Sequence, residues 1–63
     1  MDTPIIYTVS QLNGNACRLY TKDSRVKDGD RDITVSSSKL INMMIVTSEI
    51  LNNEGYVVLF EVD

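Results

Sequence analysis

Apolar and polar residues alternate from near the start of the chain. In residues 5–12, IIYTVSQL, an extended backbone puts Ile5, Tyr7 and Val9 on one side and Thr8 and Ser10 on the other. That period of two, in β-branched and aromatic residues, predicts a strand, and Pro4 sets the start of the extended segment. Asn13-Gly14-Asn15 follows as a turn signal, since Gly and Asn accept positive φ at low steric cost. Residues 16–22, ACRLYTK, then read as the returning strand of a hairpin. Burial decides the register, because a slip of one residue exchanges the two faces of a strand. A two-residue loop would set Ile5, Tyr7 and Val9 beside Arg18 and Lys22. A three-residue loop with Asn15 left-handed sets them beside Cys17 and Leu19, and is preferred.

Residues 23–32, DSRVKDGDRD, carry mixed charge and one isolated apolar residue, Val26, and read as a loop. Residues 32–35, DITV, form a short third strand suited to an edge or to feeding a crossover. The period then changes. Over residues 36–53, SSSKLINMMIVTSEILNN, the spacing predicts a helix, with Ser37 or Ser38 as N-cap. At 100° per residue, Leu40, Met44, Thr47 and Leu51 form one line. Ile41 and Ile45 flank it on one side, and Met43, Val46 and Ile50 on the other. Only Asn42, Glu49 and Asn53 make a polar stripe, so the apolar arc is far wider than the roughly 100° an ordinary surface helix needs.

Asn52, Asn53 and Gly55 predict a left-handed helix end. Residues 56–62 form a last strand, apolar on both faces: Tyr56, Val58, Phe60 and Val62 on one, Val57 and Leu59 on the other. Two-sided apolarity predicts a central strand, or one whose second face meets another subunit. A right-handed crossover through the helix would place it parallel to the third strand and inside the sheet. The fold class is α+β: a two-layer sandwich with a small mixed sheet, order β-β-β-α-β, in one domain over residues 1–63. One short string offers a different picture of the first third. Residues 6–13, IYTVSQLN, resemble the opening of the large subunit of exonuclease VII, where a similar string leads into a helix ahead of an OB-fold. The resemblance spans eight residues, ends at Gly14, and implies a helical alternative for residues 8–20.

Composition narrows what holds such a chain together. At 63 residues a single core supplies only about 3–5 kcal/mol unless disulfides, metal or association add to it. One cysteine, Cys17, excludes an internal disulfide, and with no histidine a structural zinc site has too few ligands. Association with a second copy or another protein is the remaining staple. With 43% hydrophobic and 24% charged residues the chain has the composition of a folded globular protein. The N-terminus has no basic segment leading a long apolar one, and no 18 apolar residues run together. Neither secretion nor a membrane partner is therefore expected. The unpaired cysteine fits a reducing, cytoplasmic setting.

Charge adds a polarity. All six basic residues lie between positions 18 and 39, which makes that third about +2, whereas the two ends hold five acids and no base. Arg18, Lys22, Arg25, Lys27 and Arg31, with Tyr20 as a stacking ring, are the candidate nucleic-acid contacts. The interleaved Asp residues and a pI of about 4.6 weigh against them. Catalytic candidates fare worse. Cys17 has no histidine to act as base and reads as a small buried hydrophobe. Ser36, Ser37 and Ser38 beside Lys39 are more simply caps. Asp23, Asp28, Asp30 and Asp32 crowd one loop but lack calcium-site spacing, and Arg25, Lys27 and Arg31 would repel a cation. No enzyme activity, cofactor or metal is expected. The strongest candidates are two apolar surfaces: the helix flanks (Ile41, Ile45, Met43, Val46, Ile50) and the second sheet face (Ile6, Leu12, Tyr20, Val57, Leu59). They predict a small non-enzymatic interaction module, a homodimer that binds and modulates or inhibits a larger protein. Phages and mobile elements use such short products against host or defence enzymes. The alternative is a nucleic-acid-associated accessory protein using residues 18–39.

Overall fold

The hairpin forms in the register that burial favours. In the computed structural model, which describes residues 3–63, strands β1 (Ile5–Asn13) and β2 (Ala16–Tyr20) pair antiparallel, Val9 opposite Leu19 and Gln11 opposite Cys17. The helical alternative for residues 8–20 is not adopted. The turn departs from the three-residue loop. A bulge between Gln11 and Asn13 absorbs one residue, Asn13 faces Ala16, and only Gly14 and Asn15 remain between the strands. Nor is Asn15 left-handed, since no non-glycine residue described has positive φ. The Asn13 side chain replaces that device: its Oδ1 accepts the Asn15 N–H at 2.8 Å, an Asx turn that fixes the reversal without a strained residue. Strand β2 ends at Tyr20, two residues short of the sequence boundary, although the Thr21 N–H still donates to the Arg31 carbonyl at 2.8 Å, one step beyond the Tyr20–Asp32 pair.

Strand β3 (Asp32–Ser36) adds antiparallel to β2, and β4 (Val58–Val62) adds parallel to β1, giving the order β3-β2-β1-β4. The last strand therefore runs parallel to β3, as the crossover argument has it, but stands at an edge rather than inside the sheet. The reason lies in β1. Its Ile5, Tyr7 and Val9 are buried, so β1 needs neighbours on both sides and the helix above it. Strand β2 fills one side and β4 the other.

Between β3 and β4 runs the helix α1 (Leu40–Asn53), preceded by a 3-10 turn over Ser37–Lys39. No serine side chain caps it. The hydroxyls are used sideways instead: Ser37 Oγ lies 3.6 Å from Cys17 Sγ, and Ser36 Oγ 3.4 Å from Ser38 Oγ. The Ser37 N–H donates to the Asn15 carbonyl at 2.9 Å, tying the start of the crossover to the hairpin turn. The C-terminus closes as predicted. Gly55 has φ 97°, the Tyr56 N–H donates to the Leu51 carbonyl, and the Gly55 N–H donates to that of Asn52, both at 2.9 Å. This is a complete Schellman motif.

The core lies between sheet and helix: Ile5, Tyr7, Val9, Leu19, Leu51 and Val58, with Ile33, Val35, Leu40, Met44 and Phe60 packed around it. The Tyr7 and Phe60 rings stand 5.7 Å apart. A further core residue comes from the 21–31 connection, where Val26, read in the sequence as isolated in a charged loop, is only 3% exposed. The loop folds onto the helix side of the sheet and inserts it.

Candidate interaction surfaces

On α1 the central line is core, as its spacing predicts: Thr47 and Leu51 are buried, and Leu40 and Met44 partly so. The flanks stay open and face different neighbours. Ile41 (65% exposed) and Ile45 (51%) lie on the β4 side, where they line a shallow cleft with Met44, Ser48 and Phe60. Val46 (47%) and Ile50 (54%) lie on the other side. Together with Met43, Tyr7, Val26 and Ile33 they line a cleft of about 210 Å³ between helix and loop, rimmed by Arg25, Lys27, Asp30 and Glu54. That volume is below the roughly 300–1,000 Å³ of small-molecule sites. It has room for one inserted side chain.

The outer sheet face is uncovered. Ile6 and Leu59 are neighbours across β1 and β4, and with Val57 they make one exposed apolar patch. Tyr20 stands one strand further on, opposite Thr8. Its ring is covered by the Arg18 guanidinium at 4.5 Å, and Arg18 in turn grips Asp32 with two hydrogen bonds of 2.7 Å. Leu12 is not brought into the patch. It sits at the hairpin bulge, six residues beyond Ile6 and about 20 Å along the strand.

The basic segment is spent largely within the fold. Arg25 chelates Asp23 through Nε (2.9 Å) and Nη2 (2.7 Å), donates to the Thr3 carbonyl at 2.9 Å, and lies over the Tyr56 ring. Arg31 donates to the Val26 carbonyl at 2.8 Å and reaches Asp28 at 3.3 Å. The Tyr7 hydroxyl completes the tie by donating to the Asp30 carbonyl at 3.3 Å. Hydrogen bonds from the Arg25 side chain and backbone hold the Asp23 carboxyl down at about 2. The Arg18 fork likewise lowers Asp32. Burial, reinforced by the charges of Asp30 and Asp23, raises the Tyr7 phenol. Lys22, Lys27 and Lys39 make no ion pair among the described residues. Asp2, one of the acids at the two ends, lies outside the described residues.

The four loop aspartates point to different partners: Asp23 to Arg25, Asp28 to Arg31, Asp32 to Arg18, while the Asp30 carbonyl accepts from Tyr7. Among the described residues no His, Cys, Asp or Glu group is arranged to hold a metal ion, and no helix is long and apolar enough to cross a membrane. Cys17 is buried beside Ser37. The sequence reading missed the arginines as fasteners of the loop. The signal was present in Asp23-Ser24-Arg25 and Asp28-Gly29-Asp30-Arg31, where opposite charges two and three apart can pair locally. No protein-family model, curated protein or solved structure matches this chain.

Proposed function

We propose that this protein is a small non-enzymatic interaction module, which self-associates as a homodimer and binds and modulates a larger protein. The observation that carries the reading is the set of large apolar side chains left open on three surfaces: Ile41 and Ile45, Val46 and Ile50, and Ile6, Val57 and Leu59. Monomers rarely expose connected apolar patches of this kind without a partner for them.

A division of labour fits the two helix flanks. The Ile41 and Ile45 side is open and continuous with a sheet edge, which suits a second copy. The Val46 and Ile50 side borders a cleft with a charged rim and an apolar floor, which suits one anchoring side chain of the larger partner. Such a module would act by occupying a surface of its target, as short inhibitors encoded by phages and mobile elements do. The alternative reading, a nucleic-acid accessory protein, draws less support. Arg18, Arg25 and Arg31 are engaged with carboxylates and carbonyls of the chain itself, leaving Lys22, Lys27 and Lys39 for phosphate.

Affinity capture from the source cell, with the unmodified chain and Val46→Asp in parallel, tests the reading. A protein recovered with the first and lost with the second supports it. Recovery of nucleic acid in a salt-sensitive manner, with no protein dependent on Val46, counts against it.

A further inference from the structure

Resting on the reading of the chain as a self-associating module, we propose that two copies join through β4, edge to edge and antiparallel about a twofold axis at Phe60, into one continuous sheet.

The two edges of the sheet are unlike. Strand β3, DITVS, equals β4 in length but is polar at both ends, with Asp32 held by Arg18. Strand β4, VLFEV, has no Pro, Lys or bulge and a single charge, Glu61. Those are the devices by which exposed edges are normally blunted. Strand β3 lacks them too, but its polar ends and the Asp32–Arg18 pair leave β4 as the more apolar edge and the one open to pairing. The parallel ladder also fixes which groups face outward. The Ile5 N–H donates to the Val57 carbonyl at 2.8 Å and the Asp63 N–H to the Val9 carbonyl at 2.9 Å. Alternation then commits residues 57, 59, 61 and 63 to β1 and turns the N–H and C=O groups of Val58, Phe60 and Val62 away from it.

This outward set is self-complementary. About an axis at Phe60, Val58 meets Val62 of the second copy, Phe60 meets its own counterpart, and each residue exchanges a pair of backbone hydrogen bonds. Leu59 faces Glu61 of the second copy, so no carboxylate opposes another. An axis moved to Glu61 would set Glu61 against itself, an unfavourable like-charge pair. Charge thus disfavours a register shifted towards the C-terminus. The twofold axis is normal to the sheet, which keeps both helices on the same face. Ile41, Ile45 and Phe60, lining the cleft beside β4, then meet the same residues of the second copy above the new pairing, and the cleft becomes core. On the outer face, the Ile6 and Leu59 patches of both copies become continuous.

The experiment pairs Leu59→Cys with Glu61→Cys, each made in a Cys17→Ala background, both at exposed positions. The two proteins are oxidised with diamide separately and as a mixture, while sedimentation records the oligomeric state. The expected result is a dimer with at least tenfold more cross-linked product in the mixture than in either variant alone, since only residues 59 and 61 face one another. Backbone amide exchange of the unmodified chain should show Val58, Phe60 and Val62 slowed at least a hundredfold. A dimer with no preference for the 59–61 pair and fast exchange at these amides would overturn the edge pairing, yet leave the self-associating module intact. A monomer in sedimentation would overturn both.

Discussion

Single residues set the strictest conditions in this fold, and Gly55 sets one of the clearest. Its φ of 97° ends α1, and no atom lies within 4 Å of where a Cβ would stand. The cost of Gly55→Ala is therefore one of backbone conformation alone, about 1–2 kcal/mol, read from the midpoint of urea unfolding. Gly14 is the control. It has equal space and no positive φ, so Gly14→Ala should change stability by no more than about 0.5 kcal/mol in the same measurement. Asp23 sets a condition on pH. Its carboxyl titrates at about 2 in the fold, below its ordinary 3.8, so the Arg25 tie is fully present above about pH 4. It is lost as pH falls from there towards 2. Protection of the amides at residues 24–31, taken relative to their intrinsic exchange rates, should fall over that window, and Asp23→Asn should lower it already at pH 7 and flatten the acid response.

At the scale of elements, what was legible in the sequence and what was not separate by physical cause. Hairpin register, the existence and C-terminal end of the helix, and the core line Leu40, Met44, Thr47, Leu51 follow from burial periodicity and from the Asn and Gly signal at residues 52–55, which are local. So did the open helix flanks, because no polar stripe exists there to misread. The helix start is not among them, since α1 begins at Leu40, four residues later than its spacing predicts. Three features escaped for non-local reasons. The serines did not cap α1 because Ser37 is drawn to Cys17 and to the hairpin turn, twenty residues away in the chain. The last strand stands at an edge because the demand for neighbours belongs to β1, not to its own two-sided apolarity. Val26 was hidden by its charged surroundings, which turned out to be its fasteners. That loop is an element in its own right, and Val26→Ala should show it: a loss of about 1.5–3 kcal/mol by urea unfolding, the transfer cost of the missing methyls plus the cavity they leave. A loop merely draped in solvent would lose nothing measurable.

For the whole molecule, the balance of core against surface governs behaviour. A chain of this size has about 3–5 kcal/mol at its disposal, and its apolar surplus lies on the outside. Association should therefore be linked to folding, with the midpoint of thermal unfolding rising as protein concentration rises. Ile45→Asp should abolish that dependence while leaving the circular dichroism of the folded state in place, because Ile45 is half exposed and contributes little to the intramolecular core. The most direct test of the account is sedimentation equilibrium of the unmodified chain at micromolar concentration. The account predicts a species of twice 7.1 kDa in reversible exchange with its monomer. A stably folded, strictly monomeric chain across that range would contradict it.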